Sequence, residues 1–371
     1  MKILAIETSC DETAISIVEC SGGIKNPRFK VLAHTISSQI EIHRPFGGVV
    51  PNLAKREHLI NLPLLANELT SHRANELADI DLIAVTVGPG LEPALWTGIG
   101  FAKDLAKKYK KPLIGVNHLL GHIYSFLLPS KKKTGISNDE FRISKKSFPA
   151  IALLVSGGHT ILLKMDSLTK YKKIGETRDD AVGEAYDKAA RLIGLQYPGG
   201  PEIERLAKSS KLTAKSYIPF PRPMMHQKNY DFSFSGLKTA VLYYLRDHAS
   251  ELTSQRANEL RANIAASFQK AATEVLVNKT MRAAREFGAK SVFLAGGVAA
   301  NKDLRKELKK HAAELGAQLF SPDFKYNTDN ASMIAAAAYI DYLKIKISKL
   351  KVKKSGVIGK LKMVANGNLN L

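Results

Sequence analysis

The sequence predicts an α/β protein with a duplicated architecture, and three observations carry that prediction. An apolar strand, a polar turn and a second apolar strand occur twice, over residues 2–18 and 150–165. Two more apolar runs, residues 82–87 and 291–294, each end in a glycine turn and lead into helical spacing. A length of 371 residues suits about two domains of ordinary size.

Taken in order, residues 2–6 form a short buried strand, and residues 13–18 form another after the polar turn Glu7-Thr8-Ser9-Cys10-Asp11-Glu12. Residues 82–87 are a further buried strand, closed by Gly88-Pro89-Gly90. Small and apolar residues recur at helical spacing over 94–109, and Pro112 ends that helix. Residues 130–147 are polar and lysine-rich, which predicts an exposed connection. Residues 150–155 run into Ser156-Gly157-Gly158-His159-Thr160 and on to a strand over 161–165. Residues 291–294 precede Ala295-Gly296-Gly297-Val298 and a helix starting near Asn301. Residues 331–340 are strongly helix-forming, which makes Asp329 a natural cap or first-turn residue. From Lys344 to Lys354 lysines alternate with Ile, Leu and Val, as in a short edge strand or a basic tail that touches RNA, though a merely solvated stretch shows the same pattern.

Composition narrows the class. Hydrophobic residues make up 45% and charged residues 24%, as in an ordinary globular protein. The net charge of +21 points to a polyanionic partner, nucleic acid above all. The two cysteines, Cys10 and Cys20, are too few for a disulfide framework and fit a reducing, cytoplasmic home. The first apolar run is too short for a signal peptide, and none is long enough to span a bilayer.

Three clusters carry chemistry. In Asn117-His118-Leu119-Leu120-Gly121-His122 the histidines share one helix face, where two imidazoles can grip one ion, and Asp329 could complete the set. Two packed polar side chains would show the same spacing. Glycine turns at residues 156–160 and 296–301 follow buried strands and present backbone N–H groups to anionic ligands. Asp187 on a helix and Glu204 near the start of the next, with Gly200 in the turn between them, are placed so that their carboxylates can accept from ribose hydroxyls, though solvated helices carry such residues too. No phosphate-loop or dinucleotide-binding glycine pattern occurs.

Six ordered motifs give a resemblance. They are Ile6-Glu7-Thr8-Ser9-Cys10-Asp11-Glu12-Thr13, Gly47-Gly48-Val49-Val50-Pro51, Asn117-His118-Leu119-Leu120-Gly121-His122, Val155-Ser156-Gly157-Gly158-His159-Thr160, Asp231-Phe232-Ser233-Phe234-Ser235-Gly236-Leu237-Lys238-Thr239 and Gly296-Gly297-Val298-Ala299-Ala300-Asn301. Together, over residues 1 to about 341, they resemble the bacterial and organellar tRNA threonylcarbamoyladenosine transferase family, once labelled a glycoprotein endopeptidase. The resemblance implies an actin-like ATPase fold of two ribonuclease-H-like domains with a cleft between them. Residues 1–116 with 331–343 would form the first domain, 117–330 the second, and 344–371 a basic tail. It implies transfer of a threonylcarbamoyl group from threonylcarbamoyl-AMP to N6 of adenosine 37 in tRNAs reading ANN codons. By the same resemblance His118, His122 and Asp329 hold one divalent ion, Fe2+ by preference or Zn2+. Leu154, Val155, Ser156, Gly157 and Gly158 form the substrate loop, and Asp187, Gly200, Glu204 and Asn301 contact the adenylate. Glu204 departs from the family's commoner Asp. Asn52 and Lys55 stand where Glu and Ser are commoner, without mechanistic consequence. Asp11 or Glu12 would act as general base. The anticodon loop of tRNA, a dimerisation partner and a small ATPase are the implied partners.

Three rivals share some of these features. A zinc peptidase of the His-Glu-x-x-His type would need a glutamate between the histidines, where Leu119, Leu120 and Gly121 stand. An actin-fold small-molecule kinase would use the glycine turns but not the histidine pair. A non-catalytic scaffold binding tRNA and partner proteins would need no histidine pair at all.

Overall fold

The computed structural model describes residues 1–71, 79–130, 143–210, 212, 217–252, 255–347 and 363–371. By its contacts the chain divides into two compact units. Unit one holds Met1–His43, Val49–Lys146 and Ser321–Leu371, and unit two holds Arg44–Gly48 and Ser147–Phe320. The sequence reading drew its boundary at residue 117; the contacts group residues 117–146 and 321–330 with unit one.

Unit one is built on β1 (Lys2–Glu7), β2 (Glu12–Ser21), β3 (Arg28–Ser38), β4 (Leu82–Gly88) and β5 (Leu113–Asn117), in the order β3-β2-β1-β4-β5. The first three strands are antiparallel, and β4 and β5 add in parallel. β1 and β4 carry continuous Ile, Leu, Val and Ala because helices cover both faces of the sheet. Those helices are α1 (Pro51–Ser71), α2 (Glu92–Tyr109), α3 (His118–Tyr124) and, late in the chain, α9 (Ala331–Ile347).

Unit two repeats the plan with β6 (Ala150–Val155), β7 (Thr160–Ser167), β8 (Lys170–Glu176), β9 (Ser291–Ala295) and β10 (Gln318–Phe320). Their order, β10-β9-β6-β7-β8, is that of unit one read from the other edge. Its helices are α4 (Val182–Leu192), α5 (Gly199–Ala207), α6 (Ser235–Asp247), the long α7 (Ala257–Glu286) and α8 (Lys302–Glu314). Tyr186 of α4 meets Phe268 of α7 edge to face at 5.1 Å inside that unit's core.

The apolar runs expected as strands are strands, and the helix expected over 94–109 spans Glu92–Tyr109. The duplication has a concrete form here, two sheets of one topology. Residues 344–347 correct an expectation, since they are the last turn of α9 rather than an edge strand. Residues 348–362, the rest of the lysine-rich stretch, and 131–142 of the expected connection lie outside the described residues. Nor is the tail wholly solvated. Asn366 N–H donates to the Val87 carbonyl at 2.9 Å, and Ala365 is buried in the core of unit one. Among the described residues no helix is long and apolar enough to cross a membrane.

Candidate metal centre and substrate turns

The histidine pair sits where β5 turns directly into α3, and every residue of α3 is buried. Asn117 makes that turn possible: its side-chain oxygen accepts from Leu119 N at 2.8 Å and Leu120 N at 3.3 Å, capping the helix. Its amide nitrogen donates to the Asn370 carbonyl at 3.2 Å. Gly121 has a packing reason. A Cβ there would lie 2.9 Å from Ile334 Cδ1 and 3.1 Å from Met333 Cγ, so any larger residue requires those side chains to shift where α3 meets α9. The position a peptidase glutamate would take, directly after the first histidine, is held by the buried Leu119.

Asp329 arrives from the turn before α9. Sequence offered it either as a cap or first-turn residue or as the third ligand; Asn330 does the capping, its side-chain oxygen accepting from Met333 N at 2.9 Å. Asp329 is thereby released to face the histidines. Its Oδ1 lies 3.4 Å from His118 Nε2 and 3.1 Å from His122 Nε2. Donors each about 2.0–2.2 Å from one ion at tetrahedral angles stand about 3.3–3.6 Å apart, so these spacings come close to those of a shared divalent cation. One ligand atom from each of the three residues lies within 4.8 Å of the others. The residues fit an ion on chemistry as well, with two imidazoles and a carboxylate leaving positions open for substrate.

Glu7 is the residue that sequence reasoning passed over. It ends β1, is fully buried, and accepts from Ser9 N at 2.6 Å and from the Thr86 hydroxyl. Its Oε2 stands 3.2 Å from His118 Nδ1, and Ser9 Oγ lies 3.2 Å from the same nitrogen. The carboxylate therefore holds the proton of His118 on Nδ1 and turns Nε2 toward Asp329. Sequence shows that an acid closing an apolar strand has to be paired, but not with what. His122 is held differently, since its Nδ1 is buried without a hydrogen-bond partner. Glu7→Gln is expected to weaken Zn2+ affinity about tenfold to a hundredfold, read by chelator competition. Unchanged affinity would show that Glu7 does not orient the ligand.

Electrostatics follow from the geometry. Burial disfavours a charged His118, but Asp329 and Glu7 outweigh it and lift its pKa from 6.5 to about 9. For His122, burial wins and the pKa falls, with the neighbouring His118 charge adding to it. Asp329 and Glu7 both resist burial's upward push, because the His118 charge draws them below the usual carboxylate range. An ion must displace the His118 proton. Affinity should therefore rise about tenfold per pH unit from neutrality and level off above about 9, measurable by chelator competition at each pH. A flat profile would contradict a protonated His118.

Asp11 and Glu12 are both buried at the start of β2. Glu12 is pushed well above the ordinary range, first by burial and then by Asp11 and Asp329. A carboxyl of that kind is a stronger base than an exposed one.

In unit two the expected substrate residues fall into two groups. Leu154 and Val155 are buried in β6, and the strand ends in Ser156, Gly157 and Gly158. Ser156 N–H donates to the His159 carbonyl at 2.8 Å, while Gly157 and Gly158 are exposed with open space where a Cβ would point. Parallel pairing of β6 with β9 sets the second glycine turn alongside. Gly296 has φ +93°, and a Cβ there would sit 2.2 Å from the Val155 carbonyl oxygen. Gly183, at the start of α4, closes the same cluster, with Ser156 O 2.5 Å and Gly157 Cα 2.8 Å from its would-be Cβ. Alanine normally gains up to about 1 kcal/mol over glycine in a helix, but overlap with rigid backbone costs about 1–3 kcal/mol. Gly183→Ala should therefore destabilise, lowering the melting temperature by about 2–4 °C per kcal/mol. A raised melting temperature would contradict the close approach.

The second group lies one helical turn on. Asp187 Oδ1 accepts from Gly199 N at 2.7 Å and so fixes the start of α5, next to Gly200. Glu204 pairs with Lys208 at 3.1 Å, one helical turn later. Asn301 stands apart: its oxygen caps α8 through Leu304 N at 2.9 Å and its amide donates to Gln269 Oε1 at 2.9 Å.

The family model for tRNA N6-adenosine threonylcarbamoyltransferase matches residues 30–336. A transferase of that name from Moorella thermoacetica is 47% identical over 350 residues, covering 94% of this chain and 94% of the relative. One from Thermosipho africanus is 45% identical, with 93% and 95% covered, and one from Staphylococcus aureus 46%, with 92% and 91% covered. Full-length HypF in its phosphate- and nucleotide-bound form aligns with a TM-score of 0.53 at 14% identity, over 93% of this chain and 55% of that one. HypF of T. kodakarensis gives 0.54 at 13% identity, over 93% and 48%. The chain thus spans about half the length of either HypF structure, and this likeness speaks for the actin-like fold alone. With a family model over most of its length and relatives matched over more than nine-tenths of both chains, the chain belongs to the tRNA N6-adenosine threonylcarbamoyltransferases.

Proposed function

We propose that the protein transfers the threonylcarbamoyl group of threonylcarbamoyl-AMP to N6 of adenosine 37 in tRNAs reading ANN codons, releasing AMP. The observation that carries this reading is the His118, His122 and Asp329 group, with His118 oriented by Glu7, in a chain of this family. A bound divalent ion, Fe2+ by preference and Zn2+ as the alternative, supplies a Lewis acid and a template for the threonylcarbamoyl carbonyl. Everything else is asked of the chain. Ser156, Gly157 and Gly158 offer a backbone turn to the adenylate, with Leu154 and Val155 fixing its base, and Asp187, Gly200, Glu204 and Asn301 serve the nucleoside. In the transfer the adenine N6 attacks the carbamoyl carbon, the N–C bond forms, and the C–O bond to the phosphate breaks as AMP leaves. Glu12 or Asp11 takes the proton lost from N6. AMP is a good leaving group, so positioning and charge stabilisation suffice.

Strong positive charge suits the anticodon loop, whose target base has to be turned out of its stack at a cost of about a few kcal/mol. Leu59, Ile60 and Leu64 are exposed on α1, and Trp96 on α2, which packs against α1; this apolar surface suits the dimerisation partner. A small ATPase completes the set, and the cytoplasm is the setting.

The test is direct. Ion-loaded protein with its partners, threonylcarbamoyl-AMP and an ANN-reading tRNA should yield N6-threonylcarbamoyladenosine on nucleoside analysis. A transcript carrying G at position 37 should stay unmodified. Absence of product from the first, or ATP-dependent phosphorylation of small molecules instead, would overturn the reading.

A further inference from the structure

Gly47-Gly48-Val49-Val50-Pro51 and the helix after it play no part in the transfer chemistry described above, yet they connect to the acidic turn through a buried chain of polar side chains. Val50 N–H donates to His43 Nδ1 at 3.3 Å. A backbone N–H can only donate, so Nδ1 carries the lone pair and the ring proton sits on Nε2. That Nε2 faces Gln39 Oε1 at 3.0 Å. The amide's nitrogen end then lies 3.3 Å from His58 Nδ1 and 3.4 Å from the Ala54 carbonyl. Thr13 Oγ1 approaches the same His58 nitrogen at 2.7 Å. At the far end His58 Nε2 faces the Cys10 carbonyl at 3.0 Å, a group that can only accept.

Both ends are backbone groups whose roles are fixed, so one orientation satisfies every member. Val50 donates to His43, His43 to Gln39, Gln39 and Thr13 to His58, and His58 to Cys10. His43, Gln39, His58 and Thr13 are each fully buried. Burial also pushes the His58 pKa down, which keeps the ring neutral and able to donate on one side while accepting on the other. The receiving turn is held at its neighbouring carbonyls as well. Ser9 O accepts from Leu91 N at 2.8 Å, and Asp11 O from Gln39 N at 2.9 Å. Gln39 thus touches the turn through its own backbone and, through His58, with its side chain.

We propose that His43, Gln39 and His58 are positioning residues for the transfer reaction, a one-way hydrogen-bond relay from the Val50 amide to the Cys10 carbonyl that sets the aim of Asp11 and Glu12. The proposal rests on the reading of those two carboxylates as the groups at the reacting end. It accounts for the residue types. Apolar side chains would fill the same volume but strand the Val50 N–H and the Cys10 carbonyl, whereas each relay member has to donate and accept along one line.

Nitrogen NMR of the ion-loaded full chain tests the direction: both His43 and His58 should carry their proton on Nε2. A proton on Nδ1 of either ring overturns it. Gln39→Glu tests the consequence, because glutamate still accepts from His43 but has no N–H for His58. For Gln39→Glu and His58→Ala, kcat should fall roughly tenfold to a hundredfold, the effect of a small misalignment of reacting groups. KM for tRNA should stay within about twofold and ion content should be unchanged, because neither contact belongs to the relay. His58→Asn, whose amide can still donate, should recover part of the loss. If Gln39→Glu folds, melts lower and keeps its kcat, the network is packing alone and the proposal fails. Asp11→Asn and Glu12→Gln separate the two readings: if both keep full kcat, the assignment of the carboxylates has failed, while the relay's tautomers and the His58→Ala loss are read independently.

Discussion

Asp329→Ala should purify without its ion and lose threonylcarbamoyl transfer by at least about a hundredfold, since the Lewis acid and its template function leave together. The fold should survive the change. Asn330, not Asp329, caps α9, and the helix is buried along most of its length by apolar contacts. Removing the carboxylate also strips His118 of one of the two charges that raise its pKa, so Glu7 alone opposes burial there. Elemental analysis beside a tRNA modification assay decides the matter. Full ion content in the variant would remove Asp329 from the ligand set. Full activity without an ion would remove the ion from the mechanism. The melting temperature of the variant should lie close to that of ion-stripped protein, because the stability contributed by the bound ion is absent from both.

Glu12→Gln should cut kcat by about 10²–10⁴-fold, the usual span for removing a general base. Ion content should not change, since Glu12 is not a ligand. Stability should hold or rise, because a neutral amide replaces a buried carboxyl that Asp11 and Asp329 already disfavour as an anion. The companion Asp11→Asn is needed to assign the role. A large loss there with a small one at Glu12 would move the base to Asp11. Comparable losses at both would mean that the pair acts as a unit and that its apparent pKa values belong to neither residue alone.

How much of this was legible in the sequence depends on the range of the interaction that matters. Continuous apolar runs announced β1, β2, β4, β6, β7 and β9, since a strand covered on both faces has to be apolar throughout. All four edge strands went unread: β3 and β8 because their exposed faces are polar and their residues mix lysine with apolar side chains, β5 and β10 because they are runs of only five and three residues. The histidine spacing was legible because a single helix face sets it. Glu7 was not, because its partners Thr86 and His118 come from other strands and helices. The cap was misplaced by one residue: the sequence reading offered Asp329 for it, whereas in the fold Asn330 caps α9 and Asp329 faces the histidines. In unit two the glycines at 157, 158, 296 and 297 were read as turns, but the reason Gly183 has to be glycine is the Ser156 carbonyl against it, far off along the chain.

The ligand set has one more consequence, for the order in which the protein comes into being. His118 and His122 leave the ribosome before the whole of Ser147–Phe320, and Asp329 follows it. A nascent chain therefore holds two imidazoles and Glu7 for the entire synthesis of unit two without the carboxylate that completes the grip. Closing so distant a contact is slow and comes late in folding. If the group takes up an ion as proposed, uptake is deferred until Asp329 has been made, and a product truncated before Asp329 is expected to purify without one.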